Sequence, residues 1–82
     1  MNKKPAGKNI VGRRVAEARR GCKPALTQDA LSGRLARLGI QLDRAAIAKI
    51  ESNRRHVLDY ELKALAGVLS VEVSWLLGDQ KK

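Results

Sequence analysis

The stretch "DRAAIAKIESNRR", residues 43–55, combines the spacing of a short helix with an unusual outer surface. Ile47 and Ile50 are three residues apart, as neighbours on one face of an α-helix are, and Asp43 is a suitable N-cap. The opposite side of such a helix carries small or cationic side chains, namely Ala45, Ala48, Lys49 and Ser52. We therefore predict a helix that begins after Asp43, extends to about Ser52 and has a low, basic outer face.

Two interpretations of this outer face are open. Small side chains allow a helix axis to approach another surface closely, and the major groove of duplex DNA is wide enough for an α-helix. Arg44 and Lys49 would then reach base edges, while Ala45 or Ala48 would meet a thymine methyl group. The other interpretation is an ordinary surface helix, since alanine has the highest helix propensity. This stretch alone does not decide between them.

Two helices are predicted before this stretch. The first spans residues 10–20 and is ended by Gly21 and Pro24, because proline cannot continue the helical hydrogen bonds. The second begins after Thr27, a favoured N-cap residue, and ends at Gly39. The inward-facing residues are expected to be Val11, Val15 and Ala18 in the first helix and Ala30, Leu31, Leu35 and Leu38 in the second.

Two further helices are predicted after it, the first of them capped by Asp59 and the second, a short one, closed by Gly78. Their inward-facing residues are expected to be Leu62, Leu65, Ala66 and Leu69, and then Val71, Val73, Leu76 and Leu77. With no Phe, one Tyr and one Trp among 82 residues, the core must consist of aliphatic side chains, which suits packed helices. We predict one all-α domain over residues 10–78, a flexible basic arm at 1–9 and a tail at 79–82.

The basic charge is concentrated in the first two-thirds of the chain. The formal net charge is +9, and residues 1–56 contain 14 of the 17 Lys and Arg but four of the eight acidic residues, for a net +10. Residues 57–82 have a net charge of −1. Such asymmetry indicates a polyanionic partner bound by one face, and nucleic acid is favoured over a membrane because no long amphipathic helix is present.

The sequence lacks the patterns of catalytic and metal-binding chemistry. We find no Ser/His/Asp set, no Gly-rich phosphate loop and no Cys/His cluster with metal-ligand spacing, so we expect no enzyme activity, catalytic residue, metal or cofactor. Cys22, the only cysteine, cannot form an intramolecular disulfide. No segment has 18 consecutive apolar residues and no secretory leader is recognisable, so we expect a cytoplasmic protein without a membrane association.

Three motifs follow one another along the chain: "LTQDALSGRL" at 26–35, the Ile-x-x-Ile-Glu-x-x-Arg-Arg pattern at 47–55 and "LDYELKALAGVLSVEVSWLLG" at 58–78. In this order they resemble the motifs of Cro/C1-type helix-turn-helix DNA-binding proteins, the XRE family. The resemblance covers residues 11–78. It implies a compact, lambda-repressor-like bundle of five helices whose second and third form the helix-turn-helix, with the third in the major groove of double-stranded operator DNA.

The resemblance also implies roles for individual residues. Base edges would be faced by Arg44, Ala45 and Lys49. The DNA backbone would be contacted by Gln28, Ala46, Ser52, Asn53, Arg54 and Arg55. Members of this family often bind palindromic sites as homodimers, so we expect a homodimer.

An ion pair between Arg19 of the first helix and Glu51 of the third is a further implication. The helical spacing supports it independently, because Glu51 lies near the buried side of its helix and needs a partner there. The chain departs from the family's pattern in a longer segment between the second and third helices, and in Asn53 and Ser70, which stand where glycine is usual. Asparagine tolerates the left-handed backbone conformation, which keeps a turn at position 53 feasible.

From the residues and the resemblance together, we expect a sequence-specific double-stranded DNA-binding transcriptional regulator of a prokaryote or phage that represses by occupying an operator. An alternative is an antitoxin-like protein-interaction module that masks a toxin and autoregulates its operon. An exposed apolar patch around Val57, Tyr60, Val73 and Trp75 would favour this alternative. A third possibility, non-specific nucleic-acid packing, predicts salt-sensitive binding with no sequence preference.

Overall fold

Five α-helices make up the fold in the computed structural model, which describes residues 7–79. Their bounds are Gly12–Gly21 (α1), Gln28–Arg37 (α2), Arg44–Glu51 (α3), Asp59–Leu69 (α4) and Val73–Leu76 (α5). The described residues contain no β-strand, which confirms the all-α prediction. None of the helices within 7–79 has both the length and the apolar character needed to cross a membrane.

The core is formed by aliphatic side chains from all five helices and the segments between them. Ile47 and Ile50 of α3 are completely buried, and α3 packs against both α1 and α2. The other fully buried large side chains are Val15, Leu31, Leu35, Leu65 and Leu76. The predicted inner side of α3 is therefore confirmed, and its outer face is left exposed.

The N-terminus of α3 is positioned by the segment after α2. The Asp43 side chain accepts a hydrogen bond from the Ala46 N–H at 2.8 Å, which confirms it as the N-cap of α3. Thr27 caps α2 in the same way, through the Ala30 N–H at 3.0 Å. Such caps satisfy backbone donors that have no partner within the helix.

The predicted inner side of α2 is wrong at two positions. Leu31 and Leu35 are buried, but Ala30 is exposed because it lies about 100° around the helix from Leu31. Leu38 is 59% exposed, since α2 has already ended at Arg37 and the chain turns at Gly39 with a φ of 79°. The residues that contact the core beyond this turn are Ile40 and Leu42.

Corrections are also needed at α4 and α5. Asp59 is the first residue of α4 and does not cap it; the Leu58 N–H instead donates to the Glu61 carboxylate at 3.0 Å. Helix α5 is only four residues long, so Val71 precedes it and Leu77 follows it, 47% exposed. The remaining predicted residues of these two helices, Leu62, Leu65, Ala66, Leu69, Val73 and Leu76, are buried or pack against the core.

The start of the domain also differs from its predicted boundary at residue 10. The Lys8 N–H donates to the Asn53 carbonyl at 2.8 Å, and the Asn9 side chain accepts from the Val11 and Gly12 N–H groups at 3.0 and 2.9 Å. Asn9 therefore caps the start of α1, and residues 8 and 9 belong to the folded domain. Residues 1–6 of the arm predicted at 1–9, and residues 80–82 of the tail predicted at 79–82, lie outside the described residues.

Candidate nucleic-acid interface

The outer face of α3 has the composition predicted for it. Ala45, Lys49 and Ser52 are exposed, and Ala48 is half-buried. Arg44 is exposed and lies 3.9 Å from the Asp29 carboxylate of α2, a long ion pair between two solvated side chains that is worth little energetically. Arg44 and Lys49 thus remain available beside a row of small side chains.

A buried ion pair orients α3 relative to α1. The Arg19 Nε donates to Glu51 Oε2 at 2.7 Å and the Arg19 Nη2 donates to Glu51 Oε1 at 2.9 Å, with side chains 11% and 8% exposed. The remaining Arg19 nitrogen, Nη1, donates to the Leu26 carbonyl at 2.9 Å. These hydrogen bonds to Glu51 raise the pKa of Arg19 above its ordinary value, although desolvation acts in the opposite direction. The expected pair is present, with the two-pronged geometry that fixes relative orientation.

Gln28, expected to contact DNA, also joins this ion pair. Its Nε2 donates to Glu51 Oε1 at 3.0 Å, so the first residue of α2 is tied to the last residue of α3. Both Glu51 oxygens therefore accept hydrogen bonds, and three helices meet at one carboxylate. Because the Gln28 amide has two N–H donors, it can keep this bond and donate to a phosphate with the second.

The turn after α3 is built from two asparagines. Asn53 has a φ of 64°, and its side-chain Nδ2 donates to the backbone and side-chain oxygens of Asn9 at 3.1 and 3.0 Å. Asn9 in turn donates through its own Nδ2 to the carbonyls of Ile50 and Arg55, at 3.1 and 2.7 Å. The left-handed conformation anticipated at Asn53 is present, and the contacts around it fix the path of residues 52–55.

Arg54 and Arg55, adjacent in sequence, have different environments. Arg54 is exposed, and its Nε donates to the Ser52 hydroxyl at 2.8 Å. Arg55 is half-buried and donates to both oxygens of Glu61 at 2.9 and 3.2 Å, and these bonds raise its pKa. Arg54 is consequently the more available cation, and Arg55 holds the turn against α4.

Two shallow depressions lie on opposite sides of the α3 outer face. One, which we call the loop-side depression, is lined by Ala45, Ala46 and Lys49 of α3 and by the cationic residues Lys8, Arg54 and Arg55. The other, the α1-side depression, is lined by Ala48, Glu51 and Ser52 of α3 and by Arg13, Arg20 and Gln28. The outer face of α3 is therefore a ridge between two concave surfaces, each bordered by arginine.

The predicted site residues divide into two groups. Those on or beside the exposed ridge are Arg44, Ala45, Ala46, Lys49, Ser52 and Arg54. Those engaged in contacts within the protein are Arg19, Gln28, Glu51, Asn53 and Arg55. Three basic residues that the sequence prediction did not include, Lys8, Arg13 and Arg20, also line the depressions. For Arg13 and Arg20, the sequence did contain a signal: they are seven residues apart, a spacing that places both on one side of a helix.

The apolar patch considered for protein interaction is only partly exposed. Val57, Val73 and Trp75 are half-buried and pack against the core, while Tyr60 is 57% exposed. The Arg14 guanidinium lies 4.7 Å from the centre of the Trp75 ring and donates to the Trp75 carbonyl at 2.9 Å. Trp75 thus serves to hold α5 against α1.

Within residues 7–79, no group of three or more His, Cys, Asp or Glu side chains is placed to hold a metal ion. Cys22 is half-buried, and its thiol contacts the Ala18 carbonyl at 3.3 Å.

Comparison with known proteins adds no relative. No protein-family model matches the chain, and no curated protein or solved structure matches it.

Proposed function

We propose that the protein is a sequence-specific reader of double-stranded DNA that acts as a transcriptional regulator, with α3 inserted in the major groove and occupancy of an operator as its mode of repression. The observation that carries this proposal is the outer face of α3. There, small side chains lie between Arg44 and Lys49, both exposed, on a helix whose other side is completely buried. A helix of this shape can approach the floor of the groove closely enough for an arginine or lysine to reach guanine O6 and N7.

Orientation of α3 supports the same proposal. A helix can read bases reproducibly only if its position is fixed before binding, and α3 is held at both ends. Asp43 caps its start, and Glu51 at its end is bound by Arg19 and Gln28. Because Arg19 and Gln28 belong to α1 and α2, the outer face is held against the rest of the domain as a fixed surface.

Electrostatics supply the affinity in this proposal. Lys8, Lys49 and Arg54 border the loop-side depression, and within residues 7–79 none of the three has an ion-pair partner within 4 Å. Cations that contact phosphates release condensed counterions from DNA, so binding should weaken steeply with salt. We infer that Arg54 and Lys8 contact phosphates, while Arg44 and Lys49 contact bases and Ala45 lies against a base or thymine methyl group.

The protein-interaction alternative depends on a surface patch of which three of the four residues pack against the core. The DNA-reading proposal therefore ranks first. A homodimer would repeat the α3 contacts about one helical turn apart and would require a pseudo-palindromic site.

The test is selection of binding sites from a random duplex library at about 150 mM salt, followed by titration of the selected duplex and a scrambled duplex. We expect an inverted repeat bound at least ~10³-fold more tightly than the scrambled sequence. Lys49→Ala should cost roughly 1–3 kcal/mol on the selected site and relax preference at one or two base pairs.

Lys63→Ala is the matched control, because Lys63 is an exposed lysine of α4 that lines neither depression. It should leave both affinity and base preference unchanged. Salt-sensitive binding to every duplex without enrichment of any sequence would leave non-specific packing as the function. Absence of duplex binding would reject the proposal altogether.

A further inference from the structure

The α1-side depression includes two cationic residues of α1, which lie outside the helix-turn-helix of α2 and α3. Arg13 and Arg20 are both exposed and lie seven residues apart on α1, hence on one side of that helix. Neither has an ion-pair partner within 4 Å in the part of the chain that the structure describes. Two arginines thus project from one side of α1, and Glu17, which lies between them along that side, forms no ion pair with either within 4 Å.

The acidic residue that lines this depression is already occupied. Glu51 belongs to its lining, but its two oxygens accept hydrogen bonds from Arg19 and Gln28. Its charge is balanced by the Arg19 guanidinium at 2.7 Å. Arg13 and Arg20 are therefore left to bind an external anion in this depression.

The position of this depression indicates which anion. The α1-side depression is lined by Ala48 and Glu51 of α3 and by Ser52 directly after it, which lie on one side of the outer ridge. The α3 residues that line the loop-side depression lie on the other side of the ridge. A helix in the major groove has one phosphate backbone on each side. Two cationic depressions separated by a ridge of helical width match that arrangement.

We propose that Arg13 and Arg20 of α1 bind phosphates of one DNA strand, while Lys8 and Arg54 bind phosphates of the opposite strand across the same groove. This inference rests on the proposed function and extends it, because it makes α1 part of the DNA-binding surface. Both strands are then clamped around α3, which fixes its depth and its rotation in the groove. The guanidinium of arginine suits this role, since its planar array of donors matches phosphate oxygens.

The double variant Arg13→Gln/Arg20→Gln tests the proposal. Glutamine has a helix propensity close to that of arginine, and both sites are exposed, so we expect the variant to stay folded, with a melting temperature near that of the wild type. On the selected duplex, the slope of log K against log salt should become shallower by about two units per bound protomer, hence by roughly four for a homodimer, and affinity at ~100 mM salt should fall by roughly tenfold or more.

A matched control removes the same charge elsewhere. Lys23 and Arg34 line a third depression to which α3 contributes no residue, so Lys23→Gln/Arg34→Gln should change the salt slope much less. Arg13→Lys/Arg20→Lys keeps the positive charge and should restore most of the slope. If Arg13→Gln/Arg20→Gln loses stability, its salt slope is compared with that of the lysine variant at matched folded fraction, because these two proteins differ in the charge at positions 13 and 20.

Phosphate-ethylation interference locates the contacts. In the wild type we expect interference on both strands flanking each half-site. In Arg13→Gln/Arg20→Gln the signal should vanish from one strand of each half-site, and in a symmetric dimer this strand is exchanged between the two half-sites. Equal effects of the two glutamine double variants, or loss of signal on both strands of one half-site alike, would overturn the inference while leaving DNA reading by α3 intact. A wild-type protein that binds no duplex would overturn both proposals.

Discussion

Glu51 is the side chain on which the orientation of α3 depends most. Its carboxylate joins Arg19 of α1 and Gln28 of α2, and both members of the ion pair are about nine-tenths buried. Removal of one member of such a pair leaves a buried charge without compensation, which costs more than the intact pair contributes. Loss of the Glu51 carboxylate should also weaken DNA binding, since α3 loses the contact that orients it against α1.

We predict that Glu51→Ala destabilises the protein by about 3–5 kcal/mol and weakens binding to the selected duplex in the same variant. For a domain of this size, such a change lowers the melting temperature by roughly 12 °C or more. Thermal unfolding followed by circular dichroism measures the first effect, and titration below the variant's transition measures the second. Glu17→Ala removes an exposed carboxylate of α1 and should change stability by no more than about 0.5 kcal/mol. Equal melting temperatures for the two variants would contradict the role assigned to Glu51.

The sequence predicted some of these single-residue contacts and missed others for a physical reason. The Arg19–Glu51 pair could be expected, because helical spacing placed Glu51 near the buried side of its helix. The role of Asn9 could not, because its partners, Ile50 and Arg55, are more than 40 residues away and are backbone carbonyls. Every residue type offers a carbonyl, so such a contact leaves no pattern in the sequence. The bond from Gln28 to the Glu51 carboxylate was missed for another reason, because the family role of Gln28 gave no indication that it would bind Glu51.

The helices show a similar division. Periodic apolar residues located all five of them, since burial of one face is what stabilises a helix in a small domain. Three of the errors lie where a helix begins or ends, at Leu38, Asp59 and Leu77, because the first and last turns are decided by local competition among turn and cap contacts. Gly39 illustrates this. Its left-handed conformation turns the chain after α2, so Ile40 and Leu42 contact the core and Leu38 does not.

The contact between α1 and α3 depends on Gly12. A Cβ atom added there would collide with the Ile50 carbonyl and would lie 3.0 Å from the Glu51 carbonyl, and a backbone oxygen cannot move aside without moving its helix. The start of α1 therefore passes against the end of α3 at a distance that only glycine permits.

We predict that Gly12→Ala destabilises the protein by roughly 1–3 kcal/mol, the usual cost of overpacking, even though alanine is the better helix former. Gly33→Ala, within α2, is the matched control because nothing lies within 4 Å of the added methyl group. It should stabilise the protein by about 0.5–1 kcal/mol. Chemical denaturation of both variants measures the two changes. Stabilisation by Gly12→Ala would mean that α1 and α3 are not in close contact at this point.

The distribution of charge links the interface to the stability of the whole molecule. Two ion pairs join the end of α3 and the turn after it to other helices, namely Arg19–Glu51 to α1 and Arg55–Glu61 to α4. Glu51 and Glu61 are used in these two pairs, so neither of them neutralises the outward-facing cations on either side of α3. Within residues 7–79, five cations without an ion pair, Lys8, Arg13, Arg20, Lys49 and Arg54, therefore lie on the surface that we propose for DNA, while Glu51 and Glu61 near it are used within the fold.

The acid stability of the domain should depend on Glu61. Burial by itself raises the pKa of the Glu61 carboxyl, but the hydrogen bonds from Arg55 and from the Leu58 N–H together hold this pKa below its ordinary value of 4.5. A group whose pKa is lower in the folded state binds fewer protons there than in the unfolded chain, so the stability it contributes is present above pH 4.5 and is lost as the pH falls below that value. We therefore predict that the free energy of unfolding decreases from about pH 5 downward.

Glu61→Gln should lower the free energy of unfolding by about 1–3 kcal/mol at pH 7. In acid, the free energy of unfolding of this variant should decrease less steeply than that of the wild type, because glutamine keeps the shape of glutamate and cannot take up the proton.

Urea denaturation of wild type, Glu61→Gln and Arg55→Gln between pH 3 and pH 7 measures this dependence. Arg55→Gln removes the cation that lowers the Glu61 pKa, so its stability should also depend less steeply on pH between 3 and 5 than that of the wild type. Each difference from the wild type reports on this ion pair, since every other titrating group is common to the three proteins. Parallel pH profiles for all three would show that Glu61 contributes nothing to acid unfolding. A steeper acid loss in Glu61→Gln than in the wild type would reverse the sign of the linkage and contradict the lowered pKa.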